Sequence, residues 1–298
     1  MKYVNVNEIA AKWNLSERSV RNYCAHGKIP GVILDGKTWR IPEDAVKPVR
    51  KKRAEKIAND LLTRLKMEKE AGIPGGIYHK VQIELTYNSN HMEGSRLTHD
   101  QTRYIFETNT IGIQDEVVNV DDIVETANHF RCIDQIIELA NYPLSEAFIK
   151  QLHYILKSGT SDSRKTWFAV GEYKRFENEV GGSATAKPAD VSGEMRNLLK
   201  RYNLSKQKTL KEIIQFHYEF EKIHPFQDGN GRVGRMIMFR ECLYNDIMPF
   251  FIEDRNRDFY IRGIKEYQNN NEKGYLIDTC LNSQDNYEKL ANYFLGDD

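Results

Sequence analysis

Residues 224–235 read HPFQDGNGRVGR. Within them Gly229-x-Gly231-x-x-Gly234 has the spacing of a dinucleotide-binding turn, which would make the fold a doubly wound α/β sheet. That turn needs an apolar strand just before its first glycine. The preceding residues, EIIQFHYEFEKIHPFQD, instead set Ile213, Phe216, His217, Phe220 and Ile223 at helical spacing. Without the strand the fingerprint fails. An EF-hand loop fails as well, because Arg232 stands where the third ligand after Asp228 and Asn230 should be and no glutamate closes the loop.

What remains is a helix, a tight loop and a second helix. Gly229, Asn230 and Gly231 allow the backbone to aim its N–H groups at one point, and the unsatisfied amides of the next helix add to an anion site. Arg232 and Arg235 share a face of that helix's first turn and can donate to further phosphate oxygens. Asp228 is a hard carboxylate beside those oxygens, suited to Mg2+. His224 has the one side chain here whose ordinary pKa lies near neutrality, which makes it the natural general base. A base, a metal carboxylate and an anion cradle within one loop describe phosphoryl or nucleotidyl transfer.

Outward from this loop, helical periodicity dominates from Lys80 to Gln268: KVQIELTYNSNHME, QTRYIFETN, VVNVDDIVETANHFRCIDQIIELA, SEAFIKQLHYILKSG, VSGEMRNLLKRYN, TLKEIIQFHYEFEKI, GRVGRMIMFRECLYND and FYIRGIKEYQ all carry apolar residues every three or four positions. No strand alternates with them, so a mainly α fold is expected. One stretch breaks the series. WFAVGEYKRFENEVGGSATAKP, from Trp167 to Pro188, reads as extended chain with a hairpin around Gly181-Gly182.

The N-terminal part is different in charge and pattern. The whole chain is formally neutral, yet residues 1–53 hold twelve Lys or Arg against five Asp or Glu, and the rest is correspondingly acidic. Residues 1–48 predict two short helices, the second capped by Ser16 and closed at Gly27, then a hairpin at Asp35-Gly36 and a new helix starting at Pro42-Glu43-Asp44. This helix, turn, helix, wing order resembles the winged helix-turn-helix of excisionase-type bacterial regulators. The resemblance implies DNA as a partner, with Arg18, Arg21 and Asn22 exposed on the second helix and Lys37 and Arg40 on the wing. Residues 49–74, led by Lys51-Lys52-Arg53, predict a linking helix, and residues 75–298 form the remaining domain.

The four cysteines are scattered, which suggests neither a zinc site nor disulfides. No apolar run reaches membrane-span length and MKYVNVNEIAAKW has no signal-peptide block, so a cytoplasmic location without membrane contact is expected.

HPFQDGNGRVGR matches, position for position, the HxFx(D/E)GNGRxxR signature of the Fic family. The resemblance extends over most of residues 75–280, with its core near 145–245. It implies a helical bundle with a short β-hairpin flap, and AMP transfer from ATP to a Ser, Thr or Tyr hydroxyl of a target protein with release of pyrophosphate. Carried over, His224 deprotonates the hydroxyl, Phe226 anchors the loop, and Asp228 holds Mg2+. Gly229, Asn230 and Gly231 line the oxyanion hole, while Arg232 and Arg235 take the β- and γ-phosphates. The flap is expected at Val180, Gly181, Gly182 and Ser183, and the adenosine near Phe259, Tyr260 and Tyr267. Many Fic proteins also carry an inhibitory helix, (S/T)xxxE(G/N), which Ser89 to Gly94 fits, so Glu93 is expected to pair with Arg235 and exclude the γ-phosphate. In some members the same glutamate assists AMP removal. An alternative is a DNA-binding regulator whose Fic half senses nucleotide without catalysis. Self-modification, a homodimer and the target's identity are left open.

Overall fold

The computed structural model describes residues 2–25, 27–48, 54–113, 117–180 and 182–295. The expectations for Lys51-Lys52-Arg53 and for Gly181 fall outside them. The chain divides into two compact units, Met1–Arg53 with Asp258–Asn282, and Ala54–Arg257 with Ser283–Asp298. The boundaries differ from those expected: residues 258–282 group with the N-terminal segment, and the linking helix groups with the larger unit.

In the first unit, α1 (Val6–Trp13) starts at Asn5, whose side chain accepts the Glu8 N–H, and α2 (Glu17–Ala25) starts at Ser16, whose hydroxyl accepts the Ser19 N–H at 3.2 Å. A three-stranded antiparallel sheet follows the order β1 (Tyr3–Val4), β3 (Thr38–Pro42), β2 (Ile33–Asp35). Val6, Ile9, Trp13, Val20, Ile29 and Ile41 form its small core. The helix expected to start at Pro42 is absent. Tyr3 pairs with Pro42 in the sheet, and the Glu43 N–H bonds the Lys2 carbonyl at 2.9 Å, so strand pairing with the unanticipated β1 claims that backbone. Two helices complete the unit: α11 (Arg257–Asn270), after its first residue, and the first part of α12 (Gly274–Leu295). Gly263 lets them approach closely, since a Cβ there would lie 2.8 Å from the Leu276 backbone. Gly263→Ala should therefore destabilise the protein by about 1–3 kcal/mol through overpacking, read as a lower thermal midpoint.

The second unit is helical. It contains α3 (Ala54–Ala71), α4 (Ile77–Met92), α5 (His99–Thr108), α6 (Val120–Glu138), α7 (Glu146–Lys157), α8 (Pro188–Tyr202), α9 (Leu210–Ile223) and α10 (Asn230–Tyr244), with the remainder of α12. A two-stranded hairpin, β4 (Glu179–Val180) and β5 (Ser183–Ala184), pairs Val180 with Ser183. Helix α10 is buried along nearly its whole length and packs on α4, α6, α7 and α9, which brings the HPFQDGNGRVGR loop to the centre of the bundle. Among the described residues no helix is long and apolar enough to cross a membrane.

Candidate active site

The loop is set by what ends α9 and what starts α10. Helix α9 opens with a capping box in which Thr209 and Glu212 satisfy each other's backbone. It closes at His224, in the left-handed region at φ 52°, whose N–H still bonds the Phe220 carbonyl at 2.9 Å. Pro225 cannot prolong the helix. Phe226 is fully buried and stacks on His153 with centroids 4.0 Å apart, worth about 1.5–3 kcal/mol by burial alone. Asn230 stapes the turn shut, accepting the Phe226 N–H and donating to its carbonyl, both at 2.8 Å. Its side chain is thus occupied by the loop, which leaves backbone amides for an anion. Gly229, at φ 81°, caps α10, and the first amides of that helix point into the site without intrahelical acceptors.

Two buried arginines flank this N-terminus, each 4% exposed. Arg232 contacts Glu125 of α6, and donates to Asp228 at 3.2 Å. Arg235 donates to the Ser89 hydroxyl and carbonyl at 3.1 and 2.8 Å, and to Glu93 at 2.7 Å. Glu93 caps α4 and Gly94 follows at φ 96°, a conformation that explains why glycine or asparagine suits the place after the glutamate. Gly231 makes room for the carboxylate: a Cβ on it would overlap Glu93 Oε1. The end of α4 is pinned by Asn88, which accepts the Asp254 N–H, and by Arg257, which donates to the Met92 carbonyl.

Burial favours protonation of Glu93, but Arg235 and then Arg232 outweigh it and hold the carboxyl below its ordinary range. Asp228 behaves alike: burial opposes its charge, while Arg232 and Lys157 bring it well below the carboxylate range. His224 is lowered to about 4, chiefly by burial and then by Lys174. It is therefore neutral at neutral pH and able to accept a proton.

Several contributors were not legible in advance. Lys157, 2% exposed, bonds Asp228 at 2.6 Å, Glu125 at 2.5 Å and Asp162 at 3.0 Å. His153 donates from Nε2 to the Asp228 carbonyl at 3.1 Å and accepts the Gly171 N–H at Nδ1, which fixes a neutral tautomer that supports the loop. Both sit on the apolar face of α7 with Ile149, Leu152 and Leu156. A histidine and a lysine four apart on a face otherwise reserved for core residues were the signal available.

Other expected site residues are placed as follows. Val180 and Ser183 face one another in the hairpin, with Gly182 in its turn at φ 82°. Phe259, Tyr260 and Tyr267 belong to the first unit; the two tyrosines are buried, and Phe259 carries the Arg18 guanidinium 3.6 Å above its ring. The face of α2 expected to be exposed for DNA is partly covered. Arg18 lies on Phe259, Asn22 donates to Asn282 at 2.8 Å, and Ser16 N–H donates to Asp278 at 2.9 Å. Residues 258–282 supply this cover. Arg21 and Arg40 stay exposed, paired with Glu17 and Asp35, and Lys37 is exposed.

For Mg2+, Asp228 offers one half-exposed carboxylate. Among the described residues no group of three or more His, Cys, Asp or Glu side chains is arranged for a metal. One carboxylate suits an ion whose other ligands are phosphate oxygens and water.

Residues 143–242 match the model of the Fic/DOC family. The chain is 28% identical over 192 residues to the protein adenylyltransferase Fic of Nematostella vectensis, covering 58% of this chain and 40% of that protein. It is 27% identical over 222 residues to the protein of the same name in Drosophila mojavensis, covering 70% and 38%. The chain thus spans about two fifths of the length of these curated relatives. A Fic domain-containing signaling protein from Bacteroides thetaiotaomicron superimposes with a TM-score of 0.65 at 22% identity, over 80% of this chain and 97% of that one. A Fic family protein from Desulfovibrio desulfuricans gives 0.60 at 19% identity, over 85% and 78%. The fold is that of Fic proteins, and the matches support a Fic/DOC domain in the second unit.

Proposed function

We propose that the second unit is a protein adenylyltransferase, moving AMP from ATP to a Ser, Thr or Tyr hydroxyl, and that Glu93 restrains it. The observation that carries this is the gathering of His224, Asp228, Arg232 and Arg235 around one helix N-terminus, with His224 neutral. The names of the relatives support AMP as the transferred group.

In this mechanism the target hydroxyl attacks the α-phosphorus and passes its proton to His224 Nε2 or Nδ1 as the O–P bond forms. The bond from the α-phosphorus to the bridging oxygen breaks, and pyrophosphate leaves. Amides at Gly229 to Gly231 stabilise the charge that grows on the α-phosphate. Arg232 and Arg235, once released from their carboxylates, bind the departing phosphates. Asp228 would hold Mg2+, which when bound neutralises phosphate charge. The β4–β5 hairpin aligns the target by strand addition, a mode that relies on backbone and so tolerates varied sequences.

Incubation of the full chain with ATP labelled on either the α- or the γ-phosphate tests this. Label on protein from α-labelled ATP, stronger in Glu93→Gly and lost in His224→Ala, is expected. Label only from γ-labelled ATP would instead indicate a kinase-like reaction.

A further inference from the structure

Lys174 lies outside every motif, just before the hairpin. The residue is 3% exposed, and the hydrogen-bond partners of its ammonium are neutral oxygens: Asn178 Oδ1 and Thr185 Oγ1, both at 2.6 Å, and the Ile223 carbonyl at 3.4 Å. Asn178 and Thr185 are the two feet of the hairpin and also bond each other. Asn178 in turn donates to the Phe226 carbonyl at 3.0 Å. The Lys174 backbone N–H donates to the Pro225 carbonyl at 2.8 Å. Lys174 therefore holds the backbone on both sides of His224, at Ile223 and Pro225, and both ends of the hairpin.

A buried cation held by neutral oxygens is expensive compared with an apolar side chain of similar volume. The place uses the ammonium's several donors, because oxygens from both feet of the hairpin and from the end of α9 converge on one point. We propose that Lys174 is a positioning residue that locks the target-aligning hairpin to the His224 loop. The inference rests on reading His224 as the general base of AMP transfer.

The groups around His224 act in both directions. Burial, the largest influence, and Lys174 lower the proton affinity of His224, whereas the Glu221 backbone, Glu93 and Asp228 raise it. The Glu221 side chain lies 3.9 Å from Nδ1, but burial lifts its own pKa to about 8, so it is uncharged at neutral pH. Lys174 itself faces Glu194 of α8 and Glu177, which favour its charge, against burial, which brings it to about 8.

The test uses the full chain with isotope-labelled histidines, His224 being assigned by its absence in His224→Ala. In Lys174→Met the His224 titration midpoint should rise by about one unit, a tenfold change in proton affinity; in Lys174→Arg it should stay near wild type. In a Glu93→Gly background, transfer of α-labelled AMP should fall at least about tenfold in kcat for Lys174→Met, with the KM for ATP within about twofold, and Lys174→Arg should recover most of the rate. A folded Lys174→Met chain with an unmoved His224 midpoint, or with unchanged kcat, overturns the proposal. If Glu93→Gly alone transfers no label, the AMP-transfer reading fails, while the histidine titration still decides what Lys174 does to His224.

Discussion

His224→Ala should lower AMP transfer by about two to four orders of magnitude, the range general-base removal produces, while leaving the fold and ATP binding nearly intact. The side chain is mostly buried, at 15% exposed, but the helix cap is made by its backbone, which the substitution leaves in place. ATP would still meet the α10 amides and both arginines. The measurements are single-turnover label transfer in a Glu93→Gly background and calorimetric titration with a non-hydrolysable nucleotide; loss of binding together with transfer would make His224 a ligand rather than a base. The pH dependence follows with a definite sign. With its pKa lowered to about 4, the imidazole is protonated only below that value, so transfer should fall as pH drops through it and show no His224-dependent loss between pH 6 and 8.

Glu93→Gly should raise transfer by about one to two orders of magnitude, equivalent to about 1.4–2.7 kcal/mol. Arg235 is 4% exposed and already has Glu93 and two Ser89 oxygens as acceptors. A γ-phosphate would take the arginine only by displacing a charge-assisted bond. Without the carboxylate, that competition ends and the phosphates can settle in line for attack. Glu93→Gln separates charge from bulk: it should activate less than glycine, because the amide still fills the space over Gly231, where even a Cβ would overlap the present carboxylate. Equal rates for wild type and Glu93→Gly would remove Glu93 as a restraint.

The sequence made the helices and the site loop accessible because both depend on local rules. Apolar spacing located α4 to α10, and the lack of a strand before Gly229 separated this loop from a dinucleotide turn. Where side chains obey long-range demands, local rules were insufficient. Lys157, Glu125 and Lys174 are separated from the motif in sequence and meet it only through packing. Helix α12 was missed because its buried positions mix Leu276, Cys280, Tyr287 and Ala291 with Asp278, Thr279, Ser283 and Gln284, which blurs the apolar period. The helix expected at Pro42 lost to pairing with a two-residue strand too short to be noticed, β1. The covering of α2 by residues 258–282 has the same origin: Arg18 looked solvent-facing by its own helix, and its stacking partner lies some 240 residues away.

The paired arginines have one more consequence. Arg232 and Arg235 are not open positive charges waiting for a ligand; each already holds a resident carboxylate, Glu125 or Glu93. The cradle at rest is a loaded ion exchanger. In the proposed reaction an incoming polyanion would displace these carboxylates from the arginines instead of adding to a bare cationic surface. Entry would then depend on how readily the residents step aside and only weakly on ionic strength, the reverse of a site that draws its ligand by long-range attraction.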